Sequence, residues 1–121
     1  LAGADMIFPE GLATEDEFAE FATSMRRLAR VGVDQPPYLL ANMTEFGKTP
    51  MIPLARFSQM GYSCVIYPVS LLRVAMGAVT RALGQLRSDG GVDRFLDQMQ
   101  TRKDLYDLVG YTPGTPWEYP S

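Results

Sequence analysis

The 121 residues contain no histidine, so neither an imidazole base nor an imidazole metal ligand is available from this chain. There is a single cysteine, Cys64, which excludes an internal disulfide and agrees with a reducing compartment. No excess of positive charge exists: 11 Lys and Arg stand against 14 Asp and Glu, a formal balance of -3, and no basic field favours nucleic acid or an anionic membrane. Long hydrophobic runs are missing too. None reaches the roughly 18 residues that a membrane span needs, and the first residues carry no charged leader followed by an apolar core. These absences lead to the expectation of a soluble cytoplasmic protein that binds neither nucleic acid nor membrane.

What is present argues for a packed fold. The apolar residues make up 46% of the chain, too many for a disordered segment, and the length suits one modest domain. The stretch from Pro37 to Pro50 organises the rest. Tyr38 to Ala41 is a continuous apolar run, the pattern of a strand buried on both faces of a parallel sheet. Asn42, Thr44, Glu45 and Lys48 follow it directly, with Gly47 and Pro50 as loop formers, so polar groups emerge where the strand ends. In parallel α/β architectures that carboxyl end is where ligands bind.

In chain order, Ala4 to Pro9 reads as a short strand ending on Glu10. Gly11 marks a turn, and Thr14 with Glu17 forms a capping box for a helix whose apolar stripe is Phe18, Phe21, Ala22, Met25, Leu28 and Ala29. Arg26, Arg27 and Arg30 read as solvated surface. Pro53 opens a helix from Leu54 to Met60 that stops at Gly61. Cys64 to Tyr67 is a third apolar run, with Pro68 and Ser70 after it, and Leu71 to Leu86 trace a longer helix broken by Asp89, Gly90 and Gly91. Val92 to Val109 is helical again but interrupted at Thr101, where Thr101 and Asp104 cap a new segment that begins with Arg102. The tail holds three prolines, at 113, 116 and 120, and no periodicity; Trp117 is its candidate anchor to a groove or neighbouring subunit.

Strands alternating with helices imply a parallel sheet built by β-α-β crossovers. Three strands leave two unpaired edges, and the chain opens on Leu1 inside an apolar segment, so the expectation is part of something larger. The expected fold class is α/β: the last three strand-helix units of a (β/α)8 TIM-type barrel over residues 1–91, an extra C-terminal helical segment over 92–110, and a proline-rich tail over 111–121.

Four runs in this order, GADMIFPE (3–10), LANMTEFGKTP (40–50), IYPVSLLR (66–73) and MQTRKDLY (99–106), resemble the 2-methylisocitrate lyase family of the isocitrate lyase/phosphoenolpyruvate mutase superfamily. The resemblance implies a barrel enzyme, commonly a homotetramer, that cleaves a carbon-carbon bond in a Mg2+-dependent reaction yielding pyruvate and succinate. It also implies that Glu10, Asn42, Met43, Thr44, Arg73 and Arg102 fall on substrate-binding positions for a small polycarboxylate. Their chemistry agrees. Arginines grip carboxylates with paired hydrogen bonds, and Asn42, Thr44 and the backbone amides from Asn42 to Thr44 can donate to carboxylate oxygens.

The departures are equally informative. The family's Lys-(Lys/Arg)-Cys-Gly-His loop and its metal-holding aspartates have no counterpart here: Cys64 opens a buried-type strand, and Asp5, Asp93, Asp97 and Asp104 form no ligand cluster in sequence. The chain is therefore expected to carry part of a substrate site, with no catalytic residue and no metal ligand. A sibling activity, oxaloacetate decarboxylase or phosphonopyruvate-type, uses the same barrel. A non-catalytic half-barrel that binds a partner or a carboxylate is the reading from another class. The plainer alternatives are that Arg73 and Arg102 are surface arginines, that Asn42 and Thr44 close a turn, that Glu10 is an ordinary loop acid, and that the seven methionines fill a core.

Overall fold

A computed structural model describes residues 3–30 and 32–116, so the role expected for Trp117 falls outside the described residues. The element order is β1 (Met6–Ile7), α1 (Glu15–Met25), β2 (Tyr38–Asn42), α2 (Leu54–Met60), β3 (Cys64–Ile66), α3 (Ser70–Asp89), a 3-10 helix (Asp93–Gln98) and α4 (Arg102–Val109). This is the alternation expected from the periodicity. The three strands form one parallel sheet in the order β1-β2-β3, with Met6 opposite Tyr38 and Leu40 opposite Cys64. The chain divides into two compact units, Leu1–Ala75 and Met76–Ser121.

The first unit is held by one core. Leu39 and Ala41, alternate residues of β2, are buried at 4% and 0% exposure, and α1 and α2 supply Phe18, Ala22, Phe57 and Met60 against them. Phe18, Phe57 and Tyr62 meet edge-to-face with ring centroids 5.2 to 5.7 Å apart. The Tyr62 hydroxyl donates to the Phe18 carbonyl at 3.2 Å, which satisfies the one polar atom of that cluster. Burial pushes the Tyr62 phenol up to about 12.

Local chemistry sets the helix ends. Thr14 caps α1 by accepting from the Glu17 amide, but Glu17 returns to the Ala13 amide, one residue earlier than a reciprocal box requires. Helix α2 runs over the residues predicted for it and stops at Gly61, whose φ of 89° is left-handed. The positive φ favours glycine, and a Cβ there would also lie 3.1 Å from the Arg26 guanidinium, which would have to shift slightly.

Three expectations need correction. Arg26 is not simply solvated: its Nη2 donates to the Met60 carbonyl at 2.8 Å, tying the end of α1 to the end of α2. Arg30 is not solvated either, its side chain being 11% exposed, 3.7 Å from Asp5 and 4.6 Å from the centre of the Tyr38 ring. And β2 buries one face only. Tyr38 is 47% exposed, as Leu39 and Ala41 pack on the helices while the alternate residues face away.

In the second unit, described by itself, Phe95 is the one buried apolar side chain among the described residues. Helix α4 begins with the capping box predicted for it: Thr101 accepts from the Asp104 amide and the Asp104 carboxylate accepts from the Thr101 amide, both at 3.2 Å. It ends at Gly110 with φ 65°.

Candidate functional site

The loops leaving β1 and β2 enclose a cavity of about 270 Å³ at the carboxyl end of the sheet. Phe8, Glu10 and Leu12 line it from the first loop, Asn42, Thr44, Lys48 and Thr49 from the second. The two loops are fastened together by the Thr49 hydroxyl, which donates to the Leu12 carbonyl at 2.7 Å. Three of the six residues singled out in the sequence, Glu10, Asn42 and Thr44, thus border one space, together with the cation Lys48.

The polar groups are already partly engaged. The Thr44 hydroxyl donates to the Asn42 side-chain oxygen at 3.0 Å. That bond fixes which way the carboxamide points and leaves both Asn42 N–H groups as donors. Met43 behaves differently from its neighbours. Its side chain is 1% exposed in the core, and its amide donates to the Ile66 carbonyl at 2.9 Å, so it offers no donor to a ligand. The amide series expected from Asn42 to Thr44 is interrupted there because β2 pairs with β3 up to that point.

Arg73, in the first turn of α3, meets a carboxylate that the sequence reading left without a role. Its Nε lies 3.5 Å from Glu45 Oε2, and its guanidinium carbon sits 5.2 Å from the centre of the Phe46 ring. The Ser70 hydroxyl donates to the other oxygen of Glu45. That hydrogen bond first, with the Glu45 amide and the Arg73 charge behind it, holds the Glu45 carboxyl below its ordinary value. Phe46 is 93% exposed and has φ 63°, a left-handed backbone unusual for a phenylalanine. The signal for this cluster was present in the sequence: Ser70 and Arg73 stand three apart at the start of a helix and so share a face.

Arg102 belongs to the second unit, at the N-terminus of α4, where it borders a different cavity with Tyr106, Asp107 and Tyr111. Cys64 is half-buried at the start of β3. Among the described residues no three Cys, Asp or Glu side chains gather to hold a metal ion. Among the described residues no helix is long and apolar enough to cross a membrane.

No family model matches the chain. Among curated proteins it is 48% identical over 110 residues to a probable 2-methylisocitrate lyase of Corynebacterium glutamicum and 47% identical to a 2-methylisocitrate lyase of Bacillus subtilis. Both matches cover 91% of this chain and 33% of the relative. Among solved structures it is similar to 2,3-dimethylmalate lyase, a PEP mutase/isocitrate lyase superfamily member, with a TM-score of 0.72 and 31% identity over 90% of this chain and 34% of that one. The chain spans about a third of the length of the relatives it matches. Over that third, the chain is similar in sequence to proteins named 2-methylisocitrate lyase and in fold to a PEP mutase/isocitrate lyase superfamily member.

Proposed function

We propose that the chain forms the last three strand-helix units of a (β/α)8 barrel enzyme that cleaves 2-methylisocitrate to pyruvate and succinate. In this reading residues 1–91 are barrel, 92–110 a C-terminal helical segment and 111–121 a tail, and the active form is a cytoplasmic homotetramer using Mg2+. The observation that carries it is the cavity at the strand ends, where Glu10, Asn42, Thr44 and Lys48 converge in a chain similar to enzymes named for that substrate.

The chain's part is electrostatic and geometric. The Asn42 carboxamide, oriented by Thr44, donates to a substrate carboxylate. Lys48 supplies positive charge on the same wall, and Glu10 accepts from a substrate hydroxyl. Arg73 and Arg102 bind further carboxylate groups, Arg102 in its own or a neighbouring subunit. Met43 supports the wall from the core. The general acid and the metal ligands belong, in this proposal, to the two thirds of the relatives outside the match.

The similarity to 2,3-dimethylmalate lyase favours a second reading, a sibling enzyme acting on a different small acid. The test is turnover by the intact protein that carries this chain with 2-methylisocitrate, isocitrate, 2,3-dimethylmalate and oxaloacetate. Preferential release of pyruvate and succinate from 2-methylisocitrate is the expected result; a preference for any other acid overturns it.

A further inference from the structure

A carboxylate next to an arginine that is expected to bind anions is a puzzle, because it offers the guanidinium a competing partner. The geometry at Glu45 resolves it. Ser70 fixes Glu45 through Oε1, and Oε2 is turned to the Nε edge of Arg73 at 3.5 Å. Glu45 Oε2 is shielded from solvent and accepts no hydrogen bond from the described residues, and the charged group beside it is the Arg73 guanidinium. Meanwhile the guanidinium carbon of Arg73 lies over the Phe46 ring, 5.2 Å from its centre. A guanidinium has two edges suited to paired hydrogen bonds. Nε is the Arg73 nitrogen paired with Glu45, and the Arg73 side chain remains 42% exposed to receive a second partner.

We infer that Glu45 and Phe46 act as a clamp that positions Arg73, so that its Nη1/Nη2 edge is presented to a carboxylate of the substrate. Glu45 is a positioning residue and touches no substrate. The left-handed backbone at Phe46 has a use in this arrangement: it lets the residue next to Glu45 lie over the guanidinium that Glu45 holds by its edge. The clamp spans β2's trailing loop and the first turn of α3, so it also couples the loop that bears Thr44, just after Asn42, to the helix that bears Arg73.

This inference rests on the lyase reading above, and the test separates the two. In the intact protein, Glu45→Gln is expected to raise KM for 2-methylisocitrate about tenfold, the loss of one charge-assisted contact, while kcat changes far less. Glu45→Asp, which keeps the charge, is expected to recover part of that loss. Arg73→Lys raises KM as well, and the Glu45→Gln/Arg73→Lys double variant is expected to be no worse than Arg73→Lys alone, because the clamp has nothing left to hold. Phe46→Ala removes an exposed ring without touching the core and is expected to raise KM about threefold. An active protein whose KM is unmoved by Glu45→Gln and Phe46→Ala, or whose double variant is fully additive, overturns the clamp and leaves the lyase reading standing. An intact wild-type protein that turns over none of the acids overturns both.

Discussion

Among the described residues, the unit from 1 to 75 gathers nine buried apolar side chains into a core around Phe18, Phe57 and Tyr62, while in the other unit Phe95 alone is buried and Leu105, Leu108 and Val109 of α4 stay 47 to 70% exposed. The difference separates two ways of specifying structure. The first unit is fixed by packing between elements distant in sequence. The second relies on neighbours in sequence: the Thr101–Asp104 box, the Lys103–Asp107 pair one turn apart, the edge-to-face contact of Tyr106 with Tyr111, and the left-handed Gly110. An eight-residue helix is marginal on such terms alone.

The sharpest way to break that comparison is a pair of alanine substitutions. Phe57→Ala, at a fully buried site, is expected to cost about 3 to 5 kcal/mol in denaturant unfolding. Leu108→Ala, at a site 70% exposed, is expected to stay within about 0.5 kcal/mol. Equal costs would erase the distinction. Next in size, Thr101→Ala is expected to remove about 1 kcal/mol from α4. Amide exchange would report it as faster exchange within Arg102–Val109, with the strand amides unchanged.

Two titrations refine the comparison further. The Tyr62 phenol is raised by burial to about 12, so the folded form keeps a proton that the unfolded chain releases above its ordinary value of 10.0. Stability from this source is complete below that value and falls as pH climbs toward the folded one. Tyr62→Phe is expected to flatten this alkaline decline while costing about 1 kcal/mol at neutral pH for the lost bond to Phe18. Glu45 works in the opposite sense. Ser70 and then its other partners lower its pKa from 4.5, so its contribution is present above that value and is lost as pH falls through the folded one. Glu45→Gln is expected to lessen the acid-side decline of the melting midpoint by a small amount, because the group is near the surface.

Much of this was legible in sequence where the signal is local. The Thr101 and Asp104 spacing announced a cap, Pro53 and Gly61 bracketed α2, and the polar cluster after Ala41 marked a strand end that does border a cavity. What stayed hidden depends on separation along the chain. Arg26 and Arg30 read as surface because their partners, Met60, Asp5 and Tyr38, are set by packing. Met43 sits between two cavity-lining residues yet faces the core, since alternation along an extended segment reverses its direction. Glu45 stands in the sequence as one of the polar groups after the β2 run, and its meaning comes only with Ser70 and Arg73 alongside it.

The central proposal is that the Asn42 carboxamide, held by Thr44 at the end of β2, grips a carboxylate of the substrate acid. It is tested most directly by kcat/KM for 2-methylisocitrate in the intact protein before and after Asn42→Ala. A fall of at least about tenfold with an unchanged melting midpoint is the predicted result. Wild-type turnover in the Asn42→Ala protein would contradict it.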